Sequence, residues 1–211
     1  MMPTFNFLSK GISLDEATRA MIFIHGRGGT AEDILSLSGY FPVQDFSLLA
    51  PQAETNTWYP YSFMAPQKNN EPWLSDSISL LHEVVLLTTG KGVQPQDIFF
   101  CGFSQGACLM LEYLARNANR YGGAIAFTGG LIGDKIDRSN YNGRFDSMPV
   151  FLSSGDKDPH VPLERIKETV SVFEQMGASV MEKIFPLKPH SITMEEIRLA
   201  EAFVFKNKTV S

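Results

Sequence analysis

Six short apolar runs alternate with amphipathic segments along most of the chain. Continuous runs of this length are typical of strands covered on both faces, and the segments between them place apolar residues at helical spacing. Strands that alternate with helices predict right-handed βαβ units. We therefore expect an α/β fold class, with a mostly parallel central sheet covered by helices on both faces, in a single domain over residues 1–211. The predicted strands are Met21–Ile24, Phe46–Leu49, Ile98–Cys101, Ala124–Phe127, Val150–Ser153 and Val180–Phe185.

The third run leads directly into a G-x-S-x-G motif, formed by Gly102, Ser104 and Gly106 with Phe103 and Gln105 between them. This spacing is typical of a nucleophile elbow, a strained strand-to-helix turn that projects a serine oxygen from the sheet edge. Such a turn predicts a positive φ at the serine and no space for a Cβ atom at either glycine. The alternative is a glycine-rich turn whose serine only caps the following helix.

A serine hydroxyl is a poor nucleophile unless a base removes its proton and a carboxylate orients that base. In hydrolases that use this elbow, the acid and then the histidine follow the serine in the sequence. The chain has four histidines, of which His25 and His82 precede Ser104. His160 lies only two residues beyond the best candidate acid, too local to reach across to another strand's end. His190, between the last predicted strand and the closing helix, is therefore the expected base.

The candidate acids follow the fifth predicted strand, in the segment "GDKDPHVP". Asp156 and Asp158 both qualify, because open α/β sheets gather their sites beyond the carboxyl ends of strands. We favour Asp158, since Pro159 rigidifies its backbone and Asp156 suits a turn-stabilising role. The alternation of Asp156, Asp158 and His160 also resembles a set of metal ligands, but Pro159 interrupts it and no other cluster completes a site. We expect no metal.

A glycine-rich loop, "HGRGG", follows the first predicted strand and precedes a predicted helix over Thr30–Leu37. Glycines there allow backbone N–H groups to turn inward and form an oxyanion hole. In this fold class one donor is the residue after the nucleophile, Gln105, and the other comes from a loop after an early strand. Arg27 is the expected second donor, through its backbone. A phosphate-binding loop is the alternative, but the P-loop lysine is missing.

The segment Pro51–Leu74 interrupts the alternation and contains four prolines and five aromatic residues. Long loops without regular structure are usually functional or disordered, and a high aromatic content disfavours disorder. We expect a hydrophobic flap that lines a substrate pocket, in preference to a loop that merely packs on the surface. The candidate substrate-binding residues are Trp58, Tyr59, Phe63 and Met64.

Composition excludes several other classes of protein. A net charge of −5 and an isoelectric point near 5.4 argue against a nucleic-acid surface. No apolar run is long enough to cross a bilayer, and the N-terminal segment lacks the features of a signal peptide. Cys101 and Cys108 are poorly placed to bridge and are expected to be free and buried. A cytoplasmic location is the expectation that fits these features.

The chain resembles the phospholipase/carboxylesterase family of α/β hydrolases, which includes acyl-protein thioesterases and small bacterial carboxylesterases. The likeness covers nearly the whole chain. The matching segments, in family order, are "FIHGRGG", "APQA", "TWYPY", "GFSQGA", "GDKDPHVP" and "PHSIT". The resemblance implies the α/β-hydrolase fold, with Ser104 as nucleophile, Asp158 as acid and His190 as base.

The resemblance also implies Arg27 and Gln105 as oxyanion donors and places Trp58 near the substrate. Two departures stand out. Thioesterase members usually read HGLGD where this chain has HGRGG, and Lys188-Pro189 precedes the histidine where a glycine-containing loop is common. Neither removes a catalytic atom, but both weaken any claim that the substrate is a lipidated protein.

The function that these residues predict is serine carboxylesterase activity on small-molecule esters, with thioesters or lysophospholipids as further candidate substrates. No cofactor is implied. A peptidase on the same fold and a catalytically silent module that binds a hydrophobic ligand are the alternatives. The oligomeric state stays open, with a homodimer as one candidate.

Overall fold

A computed structural model describes residues 6–206 of the chain. The predicted domain also includes residues 1–5 and 207–211, which lie outside the described residues. Seven strands form one sheet in the order β1-β3-β2-β4-β5-β6-β7. The strands are β1 (Phe7–Gly11), β2 (Ala20–Ile24), β3 (Ser47–Pro51), β4 (Ile98–Phe103), β5 (Gly123–Phe127), β6 (Pro149–Gly155) and β7 (Ser179–Phe185).

Strands β2 to β7 pair in parallel, which confirms the predicted α/β fold class. The exception is β1, an edge strand that pairs antiparallel with β3 and places Phe7 opposite Pro51. This strand was not among the predicted ones. Its residues after Phe7 are exposed, so β1 lacks the continuous apolar run that marks a strand buried on both faces.

Within residues 6–206, five α-helices cover the two faces of the sheet. They are α1 (Ala31–Leu35), α2 (Trp73–Gly90), α3 (Gln105–Arg116), α4 (Leu163–Gln175) and α5 (Met194–Val204). One core cluster joins the sheet to α2, α3 and α4, and the other joins it to α1 and α5. Side chains alternate along β2 accordingly, because Ile22 belongs to the first cluster and Met21 to the second.

The predicted helix over Thr30–Leu37 is shorter in the structure. Thr30 is the N-cap of α1, and its hydroxyl accepts a hydrogen bond from the Asp33 N–H while the Asp33 carboxylate accepts from the Thr30 N–H. This capping box explains where the helix begins. After α1 the chain continues as a 3₁₀-helix, Ser36–Tyr40.

Both cysteines, Cys101 and Cys108, are free and buried as the sequence predicts. Among the described helices, none is long and apolar enough to cross a membrane. Because β2, β4, β6 and β7 are parallel, the loops that follow them all leave the sheet at the same edge. The predicted triad and Arg27 lie in these four loops, Gln105 begins the helix after β4, and the flap follows β3, which is parallel to β2.

Candidate active site

Ser104 occupies the turn between β4 and α3. Its φ of 53° and ψ of −121° place it in a region that residues other than glycine rarely adopt, which confirms the predicted positive φ. The side chain makes no capping hydrogen bond to α3, so the helix-cap alternative is wrong. The Ser104 N–H donates to the Phe127 carbonyl at 2.9 Å, which fixes the turn against β5.

The two glycines of the motif allow α3 to approach the sheet closely. A Cβ atom at Gly102 would lie 2.8 Å from both N and Cα of Ala107. A Cβ atom at Gly106 would overlap the carbonyl oxygens of Ile24 and His25. Both positions therefore require glycine for lack of space, as the motif predicts.

Ser104, His190 and Asp158 form a continuous chain of hydrogen bonds from the loops after β4, β7 and β6. Oγ of Ser104 lies 2.8 Å from Nε2 of His190, and Nδ1 of His190 lies 2.7 Å from Oδ2 of Asp158. A carboxylate can only accept, so Nδ1 carries the proton of the neutral ring and Nε2 accepts from the serine hydroxyl. An imidazole in this tautomer is able to remove the serine proton.

The Asp158 carboxylate is buried behind the His190 ring. Its Oδ1 accepts hydrogen bonds from the backbone N–H groups of His160 at 2.8 Å and Val161 at 3.1 Å. Burial alone would raise the pKa of Asp158, but the hydrogen bonds from His190 and the two N–H groups hold that pKa below its ordinary value. Asp158 is therefore ionised at neutral pH and orients the imidazole.

The loop after β7 is fixed at several points. Oδ1 of Asp156 accepts from the Leu187 N–H at 2.7 Å, a loop-stabilising contact consistent with the role predicted for Asp156. Nζ of Lys188 lies 2.9 Å from Oε1 of Glu196, and both side chains are buried. The same ammonium donates to the Ser191 carbonyl at 2.7 Å. The sequence analysis did not identify this pair, since a lysine in a loop gives no signal of burial.

The loop after β2 passes directly beside Ser104. A Cβ atom at Gly26 would lie 3.5 Å from Cβ of Ser104. Gln105 is the first residue of α3, so its backbone N–H has no partner within that helix. The fold therefore brings the segment that carries Arg27 and the first turn of α3 together at the serine.

The side chains of Arg27 and Gln105 hold the flap, a role that the sequence analysis did not predict. The Arg27 guanidinium donates to the carbonyls of Tyr59 at 2.9 Å, Pro60 at 3.0 Å and Tyr61 at 2.8 Å. Nε2 of Gln105 donates to the Tyr59 carbonyl at 2.7 Å. Both candidate oxyanion donors are thus tied by their side chains to the flap.

A cavity of about 620 Å³ opens beside Ser104 and His190. Of the four predicted substrate-binding residues, Tyr59 and Phe63 line it. Trp58 and Met64 do not, so the prediction is corrected for these two. The remaining lining residues are Arg27, Pro60, Tyr61, Ser62, Gln105, Cys108, Pro159, His160 and Val161.

Trp58 anchors the base of the flap. Its indole N–H donates to the His25 carbonyl at 2.7 Å, and its ring centroid lies 4.7 Å from that of His25. Its backbone N–H donates to Gln105, and its carbonyl accepts from the hydroxyl of Ser77. Trp58 is 2% exposed, while Met64 is partly buried against the core. The sequence analysis recognised the aromatic content of the flap but not the direction in which each ring points.

Two further residues at the site were not predicted to line it. The His160 ring packs edge-on against His190, with centroids 4.8 Å apart. Cys108 lies one helical turn after Ser104, and this spacing is the signal that it faces the same side of α3. Burial raises the pKa of the Cys108 thiol to about 12, so this sulfur stays protonated and is a poor nucleophile.

The three residues after β6 that alternate like metal ligands each contact another part of the chain. Asp158 bonds to His190, Asp156 bonds to the Leu187 backbone, and the His160 ring packs on His190. Within residues 6–206, no group of three or more His, Cys, Asp or Glu side chains is arranged to hold a metal ion.

Comparison with known proteins identifies the family of the chain. The family model described as Phospholipase/Carboxylesterase matches residues 12–208, nearly the whole chain. The chain belongs to this family. A phospholipase/carboxylesterase of known structure from Dyadobacter fermentans is 46% identical to the chain, with a TM-score of 0.93 over 97% of this chain and 99% of that one.

Curated relatives carry matching names. Acyl-protein thioesterase 1 from Saccharomyces cerevisiae is 24% identical, over 96% of this chain and 98% of the relative. The "Probable carboxylesterase SOBER1-like" protein from Arabidopsis thaliana is 22% identical, over 87% of this chain and 77% of the relative. The phospholipase/carboxylesterase chain is accordingly a carboxylic ester hydrolase of the serine hydrolase class. Family membership favours this activity over the peptidase and silent-module alternatives.

Proposed function

We propose that the chain is a carboxylesterase in which Ser104 is the nucleophile, His190 the general base and Asp158 the acid that orients the base. The observation that carries the proposal is the unbroken chain of hydrogen bonds from the serine hydroxyl to the buried carboxylate. The positive φ of Ser104 adds support, because backbone strain of this kind persists where the surrounding structure enforces it and is common at active sites.

In the first half of the reaction, Nε2 of His190 takes the proton of the Ser104 hydroxyl while Oγ attacks the ester carbonyl carbon. The carbonyl oxygen becomes an oxyanion, which accepts hydrogen bonds from the backbone N–H groups of Arg27 and Gln105. The tetrahedral intermediate then collapses. The leaving alkoxide takes the proton from His190 and departs as an alcohol, and the acyl group stays bound to the serine oxygen.

In the second half, water replaces the alcohol. His190 removes a proton from the water, whose oxygen attacks the acyl carbon, and the collapse of this second intermediate returns the proton to Oγ of Ser104. Asp158 remains ionised throughout and stabilises the imidazolium that forms in each half. The acid product then leaves the cavity.

The lining of the cavity favours a small acyl group. Polar side chains such as Tyr61, Ser62 and His160 make up about half of the lining, and the large indole of Trp58 is directed elsewhere. A long alkyl chain would leave these polar groups without water or hydrogen-bond partners. The leaving group is an alcohol in this proposal. A thioester, which would release a thiol, and a lysophospholipid, which would release a glycerophosphodiester alcohol, are the alternative substrates, because each would form an acyl-enzyme in the same way.

A fluorophosphonate probe tests the proposal directly, since only an activated serine forms a bond to phosphorus. The wild-type protein should be labelled at Ser104, and mass spectrometry of the labelled peptide would identify the site. Ser104→Ala should abolish labelling and lower kcat for ester hydrolysis on the order of 10⁶-fold. Ser75→Ala, at an exposed serine on α2, serves as the matched control. Wild-type protein that neither labels nor cleaves any ester would favour the silent binding module.

A further inference from the structure

Among the described residues that line the cavity beside Ser104, there is one permanent cation and no carboxylate. The cation is Arg27, and the lining also includes two imidazoles, those of His160 and His190. The chain as a whole has a net charge of −5. The charge of the lining is therefore opposite in sign to that of the whole chain.

The three carbonyls that accept from the Arg27 guanidinium hold it in place without neutralising it. Carbonyl oxygens carry no net charge, and no carboxylate within residues 6–206 forms an ion pair with Arg27. A guanidinium has five N–H groups, so two of them remain without a partner in the described part of the chain. The group keeps both its charge and donors for a further acceptor.

The carboxylates on either side of this region are engaged elsewhere. Asp33 borders a smaller neighbouring cavity with Arg27, but its Oδ2 accepts from the N–H of Thr30 at 3.0 Å and from its hydroxyl at 2.7 Å. Asp158 lies behind the His190 ring and accepts three hydrogen bonds there. Neither residue lines the larger cavity, so a ligand in it would meet the Arg27 cation and no carboxylate from residues 6–206.

We propose that the site selects esters whose acyl group ends in a carboxylate, with that carboxylate bound by the Arg27 guanidinium. The substrate class is the monoesters of short dicarboxylic acids. Arg27 would then bind both ends of the acyl group, the oxyanion through its backbone N–H and the distal carboxylate through its side chain. This inference rests on the proposed hydrolytic function of Ser104.

The test compares two esters of similar shape and different charge. Monomethyl succinate carries a distal carboxylate, and methyl 4-methylpentanoate replaces that carboxylate with an isopropyl group. We expect wild-type kcat/KM for the succinate ester to exceed that for the neutral ester about tenfold, the size of one charge-assisted hydrogen bond. Methanol release at about pH 8, where the succinate carboxylate is ionised, measures both.

Arg27→Met removes the charge, and Arg27→Lys keeps the charge but loses the planar fork. We expect the preference to disappear in the first variant and to survive in part in the second. Arg120→Met is the matched control, because Arg120 is exposed and precedes β5, at the opposite edge of the sheet from the site. Its preference should equal that of the wild type.

The ratio of the two rates separates charge recognition from damage to the flap. If Arg27→Met slows both esters equally and leaves the ratio unchanged, Arg27 only supports the flap and the inference is wrong. A wild-type protein that prefers the neutral ester, or a preference that survives a rise in ionic strength from about 0.01 M to 1 M, would also overturn it. Failure to cleave either ester, together with failure to react with the fluorophosphonate, would instead contradict the proposed function itself.

Discussion

The buried ion pair of Lys188 and Glu196 yields the sharpest test of how the loop after β7 is held. The two side chains are 4% and 0% exposed, and their charged atoms lie 2.9 Å apart. The Glu196 carboxylate also accepts from the Ser153 hydroxyl at 2.7 Å and from the Thr193 N–H at 2.8 Å. Lys188→Met keeps most of the side-chain volume but leaves this carboxylate buried without a counter-ion.

The expected loss of stability follows from that uncompensated charge. Removal of one partner from a buried pair typically lowers the free energy of unfolding by about 3–5 kcal/mol. For a chain of this size, each kcal/mol corresponds to a change in Tm of about 2–4 °C, so we expect Tm to fall by roughly 6–20 °C. Thermal and urea unfolding followed by circular dichroism measure both quantities.

Two further variants make the reasoning refutable. Lys167→Met changes an exposed lysine on α4 that forms no ion pair within the described residues, and it should alter stability by less than about 0.5 kcal/mol. Lys188→Met combined with Glu196→Gln removes both charges, and it should be more stable than Lys188→Met alone by about 2 kcal/mol. Two results would contradict a stabilising role for the ion pair. One is a loss of less than about 1 kcal/mol of unfolding free energy in Lys188→Met, and the other is a loss in the double variant equal to the sum of the two single losses.

The remaining predictions concern the acid and the elbow. Asp158→Asn should lower kcat roughly 10⁴-fold, because the histidine loses its orienting carboxylate. Asp156→Asn should affect stability more than turnover. If steady-state kinetics show the larger loss of kcat in Asp156→Asn, the acid is Asp156. Gly106→Ala should raise helix propensity by about 1 kcal/mol, yet the overlap of its Cβ with two backbone oxygens should destabilise the protein by about 1–3 kcal/mol overall. A Gly106→Ala variant more stable than the wild type in urea unfolding would contradict the close approach of α3 to the sheet.

Sequence patterns predicted those parts of the fold in which burial on both faces restricts the chain to apolar residues. The strand β4 is an example, since its first five residues are buried and form one continuous apolar run up to the glycine of the elbow. The elbow was equally predictable, because steric exclusion at Gly102 and Gly106 restricts the sequence directly. Steric exclusion of a Cβ atom and continuous burial both restrict the residues at neighbouring positions, so both can be recognised in the sequence.

Features that depend on contacts with other elements of the fold could not be predicted in this way. Strand β1 is exposed along most of its length and exists because β3 offers an edge to pair with. Lys188 is buried only because Glu196, on the following helix, faces it. The sequence shows a largely polar edge segment in the first case and a charged loop residue in the second, and neither pattern predicts the contact.

The flap could be recognised from its aromatic content, but the contacts of its individual rings depend on other elements of the fold. Aromatic content alone therefore did not predict which residues line the cavity. Trp58 has an apolar ring and one N–H donor, so the same residue suits an acyl pocket or a buried anchor that satisfies a backbone carbonyl. The His25 carbonyl decides for the anchor, because it accepts the indole N–H immediately before the loop that carries Arg27. Gln105 binds the same part of the flap from the other side, through the Trp58 N–H and the Tyr59 carbonyl. The flap therefore shares its supports with both candidate oxyanion donors, and a change in the flap that alters which esters bind should also alter the rate at which they react.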